Sequence, residues 1–369
     1  MSSVKPSGTD YTLLTYFGLL LVFGLVMLSS AGSAVGQQRF GDSYFFIKRQ
    51  LLLGVLPGLA LFFFFAKVQF HKLRAWSPVI YMGMLASLIL VFIPGIGSTL
   101  NTAAKSWIVI GNFTVQPAEF AKLGIIIFLA AYLSKRGTEL YDFQKGFLLS
   151  LVLALVPVGL ILLQPDVGTV VIIFSIIFAM FFAAETKISH IGGLFAAGIV
   201  GLMIMIVIAP YRTARLTVFL HPELDPQGVG YQTTQALVAI GSGGVFGLGL
   251  GNSRQKFQYL PEVHADSIFA VISEEMGFVI AAAVIVLLIL IAKRCIDMAR
   301  KTDDMFARLT IVGILAWLMV QSFLNIGAAV GIMPLTGVPL PFVSHGGTAL
   351  VMCMAAVGIL MSISREVNN

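Results

Sequence analysis

The sequence is poor in charge. Only 11% of its 369 residues are charged, against 58% hydrophobic, whereas an ordinary soluble chain carries about 25% charged residues. So few charges cannot cover a water-soluble surface, and the many Leu, Ile, Val and Phe exclude disorder, which requires low hydrophobicity. Cysteine is nearly absent. Cys295 falls in a basic loop and Cys353 in a hydrophobic run, so no disulfide framework is expected. The apolar runs lack strict apolar–polar alternation, which argues against a β-barrel. There is no G-x-x-x-x-G-K-[ST] motif, so ATP-driven transport by this chain is disfavoured, and His264 and His345 show no zinc-site spacing. No internal repeat, appended soluble domain or cleavable signal peptide is evident; the first apolar run, Tyr11 to about Ser30, is long enough to remain as a span.

What the sequence has in abundance is long apolar runs. Ten lie near 11–31, 49–66, 77–95, 118–134, 146–163, 169–184, 189–210, 267–292, 307–333 and 343–363, each close to the roughly 20 residues that cross hydrocarbon as a helix. The expected fold is all-α: one polytopic integral membrane domain over residues 1–369, with both termini on the same side. With the N-terminus in the cytosol, 14 basic residues fall inside and nine outside. Four of the nine (Arg212, Arg215, Arg254 and Lys256) sit in one long connection, which the positive-inside rule discounts. The same rule accounts for the net charge of +6 without a nucleic-acid partner.

That long connection, residues 211–266 between the seventh and eighth spans, is extracytoplasmic in this topology. Its semi-hydrophobic middle, Tyr231 to Leu250, is expected to dip into the membrane or lie on it. The glycine run at 241–251 contains no G-x-G-x-x-G and no surrounding βαβ unit. A close backbone approach or a sharp re-entrant turn explains it better than a nucleotide site.

Ionisable residues at spans are expensive and therefore informative. Asp166, in Gln164-Pro165-Asp166-Val167-Gly168-Thr169, lies at an outer turn, where a helix cap accounts for it equally well. Glu119 and Lys122 follow Pro117 at the outer start of a span, and their i, i+3 spacing predicts an ion pair. Lys105 and Trp107 place a cation beside an aromatic at the outer interface. Asp266 ends the long connection, with His264 two residues and Glu262 one helical turn before it; a capping role is the plain alternative. Glu274 and Glu275 fall deeper in the same span, roughly 12 Å further at 1.5 Å per residue. Asp166, Glu119, Lys122, Lys105, Asp266, Arg212 and Arg215 all map to the outer face. Carboxylates and cations gathered near lipid headgroups suit a lipid-linked substrate bearing phosphates.

Several of these stretches together resemble the SEDS family (shape, elongation, division, sporulation). They are Gln116-Pro117-Ala118-Glu119 with Lys122, Gln164 to Thr169, Gly230-Tyr231-Gln232, and Ala239 to Gly244. To these are added Leu260-Pro261-Glu262 with His264 and Asp266, Glu274-Glu275-Met276-Gly277, and Pro339-Leu340-Pro341 with Ser344, Gly346 and Gly347. The resemblance runs in order along nearly the whole chain. Ser29-Ser30, Arg49-Gln50-Leu51, Lys256 and Ile363-Ser364-Arg365 favour the division branch over the elongation branch. Ala265, Ser267 and His345 depart from the residues usual in the family, and Ser106 stands where Arg commonly precedes the Trp.

The resemblance implies a peptidoglycan glycosyltransferase that polymerises lipid II at the outer face of the bacterial inner membrane, at the division septum. It implies as partners a class B penicillin-binding transpeptidase and division-complex activator proteins. Asp266 matches the family's essential aspartate and is the expected general base. Lys105, Trp107, Glu119, Lys122, Arg212, Arg215, Glu262 and His264 are the expected substrate contacts. A divalent cation, Mg or Mn, is a candidate cofactor, with Asp166 and Glu119 as its oxygen ligands. The rival readings are a lipid II flippase, for which only Glu274 and Glu275 lie deep enough, and a non-catalytic scaffold.

Overall fold

The computed structural model describes residues 8–99, 105–111, 113–221, 224–225, 228–257 and 259–367. Helix α1 (Tyr11–Ala31) starts where the Asp10 carboxylate accepts the Leu13 N–H, meeting one of the free donors of a first turn. A short outer helix, α2 (Ser33–Phe40), stops on Gly41 in the left-handed region. Then α3 (Phe45–Gln50) runs through a π-turn at Leu51–Val55 into α4 (Leu56–Lys67), which makes one continuous span over Phe45–Lys67. Next come α5 (Phe70–Leu90) and a small antiparallel sheet of β1 (Gly97–Ser98), β2 (Trp107–Ile110) and β3 (Phe113–Val115), in that order.

Helix α6 (Pro117–Leu133) opens on proline, whose missing N–H suits a first turn. It is followed by α7 (Leu149–Leu162), α8 (Val167–Ala183) and α9 (Ile188–Ile208). Between α9 and the next span stand α10 (Pro210–Leu220) and α11 (Val229–Gly243). Helices α12 (Ile268–Lys301), α13 (Met305–Ala329) and α14 (Gly347–Val367) complete the chain.

Eight helical stretches are long and apolar enough to cross a membrane. The two 17-residue helices α6 and α8 bring the bundle to the ten expected positions. Burial ranks the spans: α14 is 78% buried over its most apolar window and α13 61%, while α9 is only 11% buried. The core is therefore α13, α14 and α6, and α9 presents its side chains outward, to lipid. Three boundaries differ from the sequence expectation most. The third span begins at Phe70 rather than near 77, α12 runs on to Lys301 rather than ending near 292, which buries Cys295 in a helix instead of a loop, and the last helix begins at Gly347 rather than near 343. The last shift arises because the stretch before Gly347 is non-helical and mostly buried among the spans. The long connection also differs: it carries two helices, and α11 packs along α12 and α13.

Helix α12 is broken at Gly277, which adopts φ 76° and ψ 180°. The loop after α11 fits into the break. Gly244 and Val245 carbonyls accept the Phe278 and Val279 N–H groups, while Leu248 and Gly249 N–H groups donate to the Glu274 and Glu275 carbonyls. The expected re-entrant turn is thus a chain that satisfies the backbone groups freed by the break, as hydrocarbon demands. Only glycine permits it: a Cβ on Gly277 would lie 2.3 Å from the Gly247 nitrogen.

The carboxylates of Glu274 and Glu275 anchor the next turn of the same loop. Glu274 accepts the Ser253 hydroxyl and, at 2.9 Å, the Arg254 N–H. Glu275 accepts Lys256 Nζ at 2.8 Å and the Ser30 hydroxyl at 2.7 and 2.8 Å. Both glutamates and Lys256 are fully buried. Glu275 is paired with Lys256 and Glu274 is taken up by the loop's own hydroxyl and N–H groups, which removes the feature that favoured a transport site.

Candidate active site at the outer face

Two irregular segments meet at the outer ends of the spans. One is residues 260–267, which leads into α12. The other is residues 336–346, which leads into α14. Their contacts are mostly backbone to side chain. The Ser344 hydroxyl donates to the Ala265 carbonyl at 2.6 Å, and the His345 N–H to the His264 carbonyl at 2.8 Å. Buried Gln50, from α3, closes the far end: it donates to the Ser344 carbonyl and accepts the Gly346 N–H. Helix α8 backs the second segment, since a Cβ on Gly168 would come within 2.6 Å of Val338 Cγ1.

Asp266 stands where the two segments meet. Its Oδ2 lies against Gly337, 3.6 Å from where a Cβ would be. No hydrogen bond to its carboxylate is formed among the described residues, so its lone pairs remain open. Burial, the nearby Glu262 carboxylate and, in opposition, the Arg215 guanidinium set its pKa, which is pushed up to about 6. Burial removes water that would stabilise the anion, and a neighbouring negative charge adds to that cost. The result is a carboxylate mostly ionised at neutral pH yet basic enough to take a proton.

The residues around Asp266 were only partly expected. Glu262 holds the left-handed conformation at φ 49°. Its carbonyl accepts the N–H groups of both Ala265 and Ser267, which forms the turn that presents Asp266. His264 is buried, with the Phe46 ring tilted against it at 3.9 Å between centroids and Glu262 Oε2 3.7 Å from its Nε2. Burial lowers its pKa, and burial also drops His345 to about 3; both rings are neutral at pH 7. A cavity of about 480 Å³ opens beside this turn, lined by Gln38, Arg39, Pro261, Glu262 and His264 among others.

Arg215 joins the site, donating from Nη1 to the Leu335 carbonyl at 3.2 Å. Arg212 turns back instead to the Met205 carbonyl on α9. Trp107 opens β2 of the small sheet and Lys105 lies two residues before it; the sheet's last strand reaches α14 through Thr114 and Thr348.

Glu119 and Lys122 pair as their spacing predicts, at 2.7 Å, but both side chains are buried. Lys122 Nζ also donates to Gln321 Oε1 at 2.7 Å and sits 5.1 Å from the Trp317 ring centroid. Its ammonium is enclosed by protein, so in this conformation it braces the site from behind rather than reaching a ligand.

Asp166 caps α8, accepting the Thr169 N–H at 3.0 Å and its hydroxyl at 2.9 Å. Both Asp166 oxygens are engaged in the helix cap, and Glu119 pairs through Oε1 with an ammonium while its buried Oε2 has no partner, so the two carboxylates sit in separate surroundings rather than in one ligand set. Among the described residues no cluster of three or more His, Cys, Asp or Glu side chains could hold a divalent cation.

Sequence reasoning overlooked Gln321 and Asn325. Both are buried on α13, and both tie to the second segment, Gln321 to the Pro339 carbonyl and Asn325 to the Val338 carbonyl. Two amides four residues apart in a long span are a usable signal, because a polar side chain buried in hydrocarbon needs a hydrogen-bond partner.

The family model FTSW_RODA_SPOVE, described as a cell cycle protein, matches residues 11–369. This chain belongs to that family. It is 39% identical over 363 residues to Stage V sporulation protein E of Bacillus subtilis (strain 168), covering 98% of this chain and 99% of the relative. It is 36% identical to the probable peptidoglycan glycosyltransferase FtsW of Geobacter sp. (strain M18), covering 98% of each. Among solved structures, it superposes on a chain from work on polymerization and crosslinking by a peptidoglycan synthase complex. The TM-score is 0.81 at 28% identity, covering 97% of this chain and 98% of that one. The rod shape determining protein RodA of Thermus thermophilus gives a TM-score of 0.72 at 28% identity and 97% coverage of each. The SEDS membership implied by the motifs therefore holds over the whole span bundle, and the chain is a multi-pass membrane protein of that family.

Proposed function

We propose that this chain is a peptidoglycan glycosyltransferase that polymerises lipid II at the outer face of the bacterial inner membrane, and that Asp266 is its general base. The observation that carries this reading is an open, half-buried carboxylate with a pKa of about 6, set between two irregular segments at the outer end of the bundle. Relatives named as probable peptidoglycan glycosyltransferases and a structural neighbour from a peptidoglycan synthase complex support it.

In the proposed reaction the acceptor sugar 4-hydroxyl attacks the donor anomeric carbon. The carbon–oxygen bond to undecaprenyl diphosphate breaks, and Asp266 takes the hydroxyl proton. The result is inversion without a covalent enzyme intermediate. Arg215, beside Asp266, is the cation best placed to face charge developing on the leaving diphosphate. Glu262 and His264 border the adjoining cavity and are the substrate contacts this geometry favours. Lys122 and Glu119 act from within the protein.

A single-span class B penicillin-binding transpeptidase is the expected partner, with division-complex activators, a septal location and cytoplasmic termini. The relatives include both FtsW and sporulation proteins, and the division role is the one favoured by the motifs. The test is purified chain, with and without its transpeptidase, incubated with lipid II. Wild type is expected to yield glycan polymer, and Asp266→Asn to lose at least 100-fold in rate, the scale of a lost general base. Asp266→Asn polymerising at the wild-type rate would refute the assignment, and flipping without polymer would favour the transport reading.

A further inference from the structure

Asn325 and Gln321 lie one helical turn apart on α13, and each bridges elements that surround Asp266. The Asn325 Nδ2 donates to the Asp266 backbone carbonyl at 3.0 Å and to the Val338 carbonyl at 2.9 Å. Both partners can only accept, so the amide nitrogen must face them and the orientation of the side chain is fixed. One amide thus holds the residue that carries the carboxylate and, next to Gly337, the wall against which that carboxylate rests.

Gln321 repeats the pattern one turn earlier. Its Nε2 donates to the Pro339 carbonyl at 2.8 Å. Its Oε1 accepts from Lys122 Nζ at 2.7 Å and from Trp317 Nε1 at 2.8 Å. The two amides pin the consecutive carbonyls of Val338 and Pro339 in a segment with no helix or strand of its own. Through Gln321, the buried Glu119–Lys122 pair reaches the same segment.

Resting on the glycosyltransferase reading above, we propose that Asn325 is a positioning residue for the general base. It fixes the distance between the Asp266 carboxylate and the residue 337–339 wall, and Gln321, braced by Lys122, holds that wall in register. Misplacing a reacting group by about 1 Å costs on the order of 100-fold in rate. Simple loss of packing would instead lower the amount of folded protein and leave turnover per folded molecule unchanged.

The test uses full-length chain with its transpeptidase and lipid II, with rates normalised to folded protein. Asn325→Leu removes both donors, and Asn325→Asp turns an oxygen toward two carbonyls. Both are expected to lower kcat by about 10- to 100-fold, with KM within threefold. The acid limb of the pH–rate profile should also move, because Asp266 changes its distances to Glu262, His264 and Arg215. Ser322→Ala on the same helix, whose hydroxyl bonds among the described residues to the Leu318 carbonyl alone, should leave kcat and the acid limb in place.

If Asn325→Leu does not fold, Asn325→Ser, which retains one donor, is expected to fold and to show the same kcat loss and moved limb. Wild-type kcat and an unmoved acid limb in the folded Leu or Ser variant would overturn the positioning role. That outcome is distinct from failure of the functional reading. The reading fails if wild type makes no polymer or if Asp266→Asn remains fully active, and the inference then falls with it.

Discussion

The acid limb of the pH–rate profile tests the proposed site most directly. Asp266 has its pKa raised from 3.8 to about 6, first by burial, then by the Glu262 carboxylate, with the Arg215 guanidinium opposing. A general base works only when deprotonated, so activity must be lost as pH falls through that value. With a pKa of about 6, roughly nine-tenths of molecules carry the carboxylate at pH 7, half at pH 6 and about one-tenth at pH 5. A carboxyl at its ordinary value would still be about nine-tenths ionised at pH 5. The assay is kcat/KM, from initial polymerisation rates at sub-saturating lipid II between pH 3.5 and 8, since that ratio reports the pKa of the free enzyme. Two variants separate the causes. Glu262→Gln removes a negative neighbour and should shift the limb to lower pH. Arg215→Gln removes a positive neighbour and should shift it to higher pH. A wild-type limb near pH 4, or shifts of the opposite sign in these variants, would refute the assignment of Asp266 and the electrostatics drawn around it.

Other expectations follow from packing. Lys122→Met strands the Glu119 carboxylate, which is 2% exposed and already has Oε2 without a partner. Breaking such a buried pair costs about 3–5 kcal/mol, and adding Glu119→Gln should restore most of it, as read by unfolding in detergent. Gly277→Ala must hold φ 76° with its Cβ against the Gly247 nitrogen, and its cost is expected to exceed the roughly 1–3 kcal/mol of a strained backbone alone. Gly201→Ala on α9, with nothing within 4 Å of a new Cβ, should be neutral in the same unfolding assay. Asp166→Asn keeps a good cap and should preserve both stability and any dependence of activity on added Mg, whereas Asp166→Ala should lose about 1 kcal/mol of stability. A change in Mg dependence in Asp166→Asn would restore the metal-ligand role.

Much of the bundle was legible because a membrane span is a local property of sequence. Hydropathy over about 20 residues decides whether a segment crosses, and all ten expected positions carry helices. Glu119 and Lys122 were paired from i, i+3 spacing alone, and the glycine run was read as a close backbone approach. What misled was also local. The expected last span began near 343 because residues 339–346 include apolar Leu340, Phe342 and Val343. In the fold these side chains are buried among other helices while the backbone stays irregular. Glu274 and Glu275 looked like a deep polar site because their partners, Ser30, Ser253 and Lys256, are remote in sequence. Lys122 looked like a phosphate ligand because nothing local signalled that Gln321 and Trp317, about 200 residues on, would enclose it.

The sequence by itself determined the environment and the number of spans, since apolar length is a local property and scarce charges must collect at span ends. Tertiary structure alone decided how each of those charges is engaged. Asp166 caps a helix, Glu119 and Lys122 brace the core, and Glu274 with Glu275 anchors a loop. Asp266 keeps an open carboxylate at the meeting of two segments. The pKa of that carboxylate depends on burial and on Glu262 and Arg215, and the packing of distant segments around it sets both the burial and the approach of Arg215.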